Sequence, residues 1–250
     1  MAQRRVLILG ESPLTEEYSS LFAGTGWQVH MLAPRKGAGG ATRQPPAKGV
    51  TYVSRIPSGC SLALELTVTD RTTKKTNLNL LDRALARTIP MASSSVTVTV
   101  AEQQSWISNA GRLVGIGALP TLLNGTIVEL ATSPRTDATS ASAVSEFLKA
   151  LGKEPVVIGD SVGMVLPRII AMLANEACFA LNEGVATRSD IDAAMKLGTN
   201  YPFGPLEWTE RIGIAFIHAV VRSLSESFGE DRYRVAPVLQ RAAALGMLPG

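Results

Sequence analysis

Apolar residues recur along the chain with two different periods, and the change of period divides it. As far as residue 158, short unbroken apolar runs alternate with amphipathic stretches. Arg5-Val-Leu-Ile-Leu9, ended by Gly10, has no polar alternation and suits a parallel strand covered on both faces. A helix is predicted over 15–23 and a second strand over 27–32, which gives the opening a strand–turn–helix–strand form. Further strands are predicted over 50–53, 62–68, 89–92, 113–116, 127–131 and 155–158, with helices over 74–86, 100–107 and 140–151. Leu78, Leu80, Leu81 and Leu85 form the apolar face of the helix over 74–86. Beyond Gly159-Asp-Ser-Val-Gly163 the period is helical throughout. The helix over 166–183 places Ile169, Ile170, Leu173, Ala177 and Ala180 on one stripe, and helices over 189–197, 205–227 and 236–245 follow. The pattern therefore predicts an α/β domain over residues 1–160 and a smaller all-α domain over 161–250.

Three local features sharpen this. Residues 34–48 are rich in Gly, Pro and Lys/Arg and read as a surface loop. The stretch 189–207 reads as a helix–turn–helix junction: Ser189 as N-cap with Asp192 three residues on, Gly198 as the stop, Gly204 free to take positive φ, and Pro205 opening the next helix. The run 212–221 is apolar apart from His218. One buried face does not need that much grease, so burial on both sides is expected, with a homodimer interface as one way to supply it and His218 as a satisfied core histidine.

Composition narrows the function classes. The 250 residues carry 24 basic and 21 acidic side chains with no basic run, which disfavours nucleic acid and leaves room for a small anionic ligand. Cys60 and Cys178 are single and far apart, and His30 and His218 complete a poor set of metal ligands, so no metal is expected. No 18-residue apolar stretch and no secretory signal is visible, so the chain reads as cytoplasmic, with no membrane partner.

The first turn carries the candidate chemistry. A dinucleotide-binding βαβ unit uses G-x-G-x-x-G, so that backbone amides and a helix N-terminus reach the pyrophosphate. Here the loop is Gly10-Glu-Ser-Pro-Leu-Thr15: only Gly10 remains, Glu11 brings a negative charge, and Pro13 removes one donor. The acid expected after the second strand is replaced by Ala33-Pro34. The fold expected is thus a Rossmann-like doubly wound sheet whose dinucleotide binding is weakened or lost.

The string Asp190-Ile-Asp-Ala-Ala-Met-Lys-Leu-Gly198, continued by Tyr201-Pro-Phe-Gly-Pro-Leu-Glu207, resembles the substrate-domain signature of the 3-hydroxyacyl-CoA dehydrogenases. Leu151-Gly-Lys-Glu-Pro-Val-Val157, Asn182-Glu-Gly-Val-Ala186 and Asp231-Arg-Tyr-Arg234 are similar to the same family, and the likeness runs in register from Leu62 to Met247. The resemblance implies NAD as cofactor and a 3-hydroxyacyl thioester as substrate, with a histidine accepting the hydroxyl proton and a glutamate orienting it. It matches Glu129 to that glutamate, Gly10 and Lys74 to cofactor contacts, and Ser94 and Thr97 to substrate contacts, although Ser93–Thr97 also reads as a polar turn and helix cap. Gly117 stands where the histidine is expected, Pro167 where an asparagine is, and Thr69 where a cofactor-side glutamate is. Three expectations follow. The first is a catalytically degenerate relative that binds acyl-CoA or another acyl thioester, with Glu129 retained because its carboxylate has found other partners. The second is an active NAD-dependent 3-hydroxyacyl-CoA oxidoreductase. The third is a structural dimerising module without ligand.

Overall fold

The computed structural model of the chain describes residues 4–32 and 49–249, so the basic loop expected over 34–48 lies outside the described residues. Among the described residues eight strands form one sheet: β1 (Arg5–Gly10), β2 (Gln28–Leu32), β3 (Val50–Val53), β4 (Leu62–Leu66), β5 (Met91–Ser94), β6 (Leu113–Ile116), β7 (Ile127–Ala131) and β8 (Glu154–Ile158). Their order is β3-β2-β1-β4-β5-β6-β7-β8. All neighbours are parallel except β6 and β7. The order reverses between β1 and β4, which is where a doubly wound sheet opens a ligand crevice beyond its strand ends. Four helices, α1 (Leu14–Ala23), α2 (Arg71–Ala84), α3 (Val100–Gln104) and α4 (Ala138–Ala150), pack on this sheet.

Strand interiors follow the apolar runs because both faces are covered: Val6, Leu7 and Ile8 are wholly buried. Element ends depart from the periodicity where a polar side chain sets them. Helix α2 starts at Arg71 and not at 74, because the Asp70 carboxylate accepts from the amides of Thr72 (2.8 Å) and Thr73 (3.1 Å). Strand β5 takes in Ser93 and Ser94, which the sequence pattern assigned to a turn.

Five further helices, α5 (Leu166–Asn182), α6 (Arg188–Thr199), α7 (Pro205–Ile212), α8 (Ile214–Phe228) and α9 (Pro237–Leu245), form the second domain around α5. Pro167 sits in the first turn of α5, where a proline is tolerated. The buried stripe of α5 runs through Ile170, Ala171, Ala174, Ala177 and Cys178, whereas Ile169 is exposed. The single helix expected over 205–227 is broken at Gly213, whose φ is +104°. Helix α6 is capped by the Thr187 hydroxyl, not by Ser189, and ends on a left-handed Asn200 one residue past Thr199. Asp192 instead accepts from the Leu206 amide at 2.9 Å and so caps the start of α7. Gly204 has an ordinary negative φ, and glycine is required there because a Cβ would run into the Asp192 side chain. The large apolar side chains of the run over 212–221 are covered within the chain, with Ile212, Ile217, Val220 and Val221 at or near zero exposure, so their hydrophobicity needs no second subunit. Among the described residues no helix is long and apolar enough to cross a membrane, and no group of three metal-ligating side chains comes together.

Candidate functional site

Three places bear on function: the crevice beyond β1 and β4, the corner around Glu129, and an open cleft between the two domains. In the crevice Gly10 has φ +142°, and a Cβ there would lie 2.5 Å from the Leu66 carbonyl carbon. The glycine therefore permits β1 and β4 to approach. The next residue, Glu11, turns its carboxylate onto the segment after β4, accepting from the amides of Val68 (3.2 Å), Thr69 (3.1 Å) and Asp70 (3.3 Å) and from the Thr69 hydroxyl (2.8 Å). Two more acids, Glu16 and Glu17, occupy the first turn of α1. Glu17 accepts from the Thr121 amide at 3.0 Å. Its carboxyl is pushed up mainly by burial, against that hydrogen bond and with the nearby Glu16 charge adding to the rise. Three acids thus lie in or just before the first turn of α1, where the partial positive charge of the helix N-terminus would suit an anion, with the Glu11 carboxylate held on the opposite wall and that of Glu17 on Thr121.

At the corner, β7 presents Glu129 and the turn after β6 presents Gly117, whose amide donates to the Glu129 carbonyl at 2.9 Å. The Glu129 carboxylate is buried and accepts from the amides of Val165 (2.9 Å) and Leu166 (2.6 Å). Both are unpaired donors at the start of α5, so the carboxylate is a helix cap reaching from the sheet domain into the helical one. The cavity left beside Gly117, Glu129 and Pro167 is only about 20 Å³, on the order of one water molecule. Glu129→Gln is expected to lower stability by about 1–3 kcal/mol, because a carboxamide cannot accept from both amides through separate oxygens. Chemical denaturation checks this, and an unchanged midpoint would mean that the cap contributes nothing.

Lys74 and Ser94 are placed away from any opening. Lys74 is buried, with Nζ donating to Glu65 Oε2 (2.5 Å), Ser93 Oγ (3.0 Å) and the Ser94 carbonyl (2.8 Å). The Ser94 hydroxyl donates to the Ala118 carbonyl at 3.0 Å, and the residue has no exposure. Thr97 does reach the cleft, although its hydroxyl donates to the Val68 carbonyl at 2.9 Å. Glu65 was legible as a lone acid within an apolar strand, but its pairing with Lys74 was not.

The cleft measures about 690 Å³ and lies between the segment from Val68 to Thr72, the residues around Thr97, and helices α8 and α9. His218 lines it, half-buried, instead of lying in the core as the apolar run had suggested. Its imidazole is held below its ordinary pKa chiefly by burial and further by the adjacent Arg222.

A doubly wound sheet with a crevice at its switch point, joined by a glutamate cap to a helical domain, makes this a two-domain protein of the Rossmann-like class. Residues 41–161 match the 3-hydroxyacyl-CoA dehydrogenase NAD-binding domain and residues 163–249 match the C-terminal domain of the same enzymes. The chain belongs to the 3-hydroxyacyl-CoA dehydrogenase family. It is 29% identical over 187 residues to 3-hydroxybutyryl-CoA dehydrogenase from Clostridioides difficile, a match covering 75% of this chain and 66% of that protein. The corresponding enzyme from Bradyrhizobium diazoefficiens is 30% identical over 189 residues, 76% of this chain and 64% of that one. The chain thus spans just under two thirds of the length of these relatives. The fold superposes on the crystal structure of M. tuberculosis FadB2 with a TM-score of 0.86 at 23% identity, covering 99% of this chain and 96% of that one.

Proposed function

We infer that this chain is a cytoplasmic acyl-thioester-binding member of its family that neither holds NAD nor transfers hydride. One observation carries this: the Glu129 carboxylate, matched to the glutamate that would orient a catalytic histidine, caps α5 through both oxygens, and the position of that histidine is Gly117. Without an imidazole there, Glu129 has no base to orient, and the corner has no room for a substrate carbonyl.

The crevice supports the same conclusion. Glu11 sits on the amides of the opposite wall, and Glu16 and Glu17 flank the helix N-terminus, so these residues do not fit a pyrophosphate. A second negative group brought there would meet carboxylates where the related fold offers free amides. The cleft, by contrast, has the size of a small-molecule site, which typically measures about 300–1,000 Å³.

A thermal-shift titration tests the reading. Acetoacetyl-CoA is expected to raise the melting temperature and NADH to leave it unchanged; a ligand at about 100 times its Kd stabilises by about 2.7 kcal/mol. A clear shift with NADH would return the active oxidoreductase, and silence from both ligands would favour the structural module.

A further inference from the structure

The corner beside Glu129 carries two strained residues, each next to a carboxylate. Met164 has φ +52° and precedes Val165, whose amide donates to Glu129. Thr121 has φ +69°, a value that a β-branched residue rarely adopts, and its amide donates to both oxygens of Glu17 at 3.0 Å. The two carboxylates differ in what they hold. Glu129 is buried and joins the two domains, whereas Glu17 is half-buried and holds only the connection from β6 to β7.

That connection has an anchored half and an outer half. Ala118 and Leu119 lie in the core, and the Ala118 carbonyl accepts from the Ser94 hydroxyl. Beyond Pro120 the chain makes a short 3-10 turn, Leu122–Asn124, closed by its own backbone: the Asn124 amide donates to the Thr121 carbonyl at 3.0 Å and the Gly125 amide to that of Leu122 at 3.1 Å. Lys153 holds the far end of the turn, donating to the Leu123 (2.5 Å) and Gly125 (2.9 Å) carbonyls, while Glu17 holds the amide at its start. Leu122 and Leu123 line the small cavity together with Tyr18, Glu129 and Pro167. Tyr18 is 1% exposed, and among the described residues its hydroxyl takes part in no hydrogen bond. A buried phenol of this kind gains a partner if the cavity opens to water.

We propose that residues 120–126 form a flap over this cavity, hinged on Lys153, latched shut by the charge of Glu17 and released by acid. This goes beyond the ligand reading and holds whatever the cleft takes. A charged acceptor makes a hydrogen bond roughly twice as strong as a neutral one, so a proton on Glu17 leaves the strain at Thr121 less well opposed. Burial raises the Glu17 carboxyl against the Thr121 bond, and the Glu16 charge adds to the rise, so the latch takes up its proton at milder acidity than an ordinary glutamate. Within α1 its titratable neighbours are Glu16 and Tyr18, and the loop itself brings none. The strands packed under α1 bring Arg5 at the start of β1, Tyr52 on β3, and His30, which is in register with Leu7 and so turns to the other face of the sheet. Lys153 and Glu129 are engaged with backbone groups, and Glu146 and Lys149 of α4 with each other. A raised folded value also fixes a sign. Glu17 favours the fold below its unfolded pKa and loses that contribution as pH rises through the folded one, so acid loosens the flap without Glu17 helping to unfold the chain.

Amide hydrogen exchange of the full chain, read by NMR as protection factors, tests this. Between neutral pH and about pH 4 the Thr121 amide is expected to lose about tenfold in protection, the scale of a charged hydrogen bond made neutral, while the amides of strand β4 keep theirs. Glu17→Gln should show the low value at every pH. Glu16→Gln should move the loss to lower pH, since a charge that raises Glu17 is gone. Adding Thr121→Gly to Glu17→Gln should restore protection at position 121, because glycine takes positive φ without strain. A Thr121 protection factor that stays constant over this range overturns the proposal. So does a loss shared equally by β4, which would mean that the whole chain opens and not the flap. If Glu17→Gln does not fold, Glu16→Gln decides, and an unmoved midpoint in that variant overturns the latch.

Discussion

Lys74→Met is expected to destabilise the chain by about 3–5 kcal/mol, the cost of leaving one member of a buried ion pair without its partner. Lys74 and Glu65 have 1% and 0% side-chain exposure, so neither charge has water to fall back on. The lysine also holds Ser93 Oγ and the Ser94 carbonyl, which ties α2 to β4 and β5 at once. In the variant Glu65 would keep the Thr67 amide (3.1 Å) and the Ser93 hydroxyl (3.0 Å) but lose the cation it pairs with. For a chain of this length the loss corresponds to a fall in melting temperature of roughly 10 °C. Denaturant titration measures it, and the double variant Glu65→Gln/Lys74→Met should recover part of the loss, because the stranded charge is gone. A change below about 1 kcal/mol would show that the pair does not hold these elements together. The outcome matters for function too. A residue that family likeness makes a cofactor contact would act here on stability.

Much of the fold was legible because its strands are buried on both faces. An unbroken run such as Val6–Leu9 has one sensible place in an α/β sheet, and the helical period after Gly163 is equally plain. What failed were ends fixed by one side chain. Asp70 lengthens α2 by three residues through its two amide contacts, and neither contact leaves a periodic trace. Ser93 and Ser94 looked like a turn since hydroxyls usually meet water. Here Lys74, Glu65 and Ala118 satisfy them inside the sheet.

The candidate site was legible in a different proportion. Glu129, Gly117 and Pro167 could be placed by motif spacing, but the partners of Glu129 lie 36 and 37 residues further on, across a domain boundary. Helical periodicity says that His218 shares a helix with apolar neighbours without saying whether its side meets a core or a cleft. The second domain decides that. Glu11 was read as an obstacle to phosphate, and the structure adds that its carboxylate is itself the cap of the following wall.

Gly10→Ala carries the second large effect and bears on why one glycine of the phosphate loop persists. Positive φ at a residue with a Cβ costs about 1–3 kcal/mol. The new methyl carbon would also sit 2.5 Å from the Leu66 carbonyl carbon and 2.7 Å from its Cα, and backbone cannot swing aside as a side chain can. Overpacking of this kind adds about 1–3 kcal/mol, so a total of roughly 2–6 kcal/mol is expected from denaturant titration. Gly24→Ala is the control: its φ of −83° suits any residue, nothing lies within 4 Å of the added carbon, and its effect should stay within about 0.5 kcal/mol. Equal effects at the two positions would remove the packing explanation. A large effect at Gly10 means that the close approach of β1 and β4 is sufficient reason to keep this glycine. Ser12 and Thr15, at the second and third loop positions, are then what remains once the sheet's demand on the loop has been met and no pyrophosphate makes a further one.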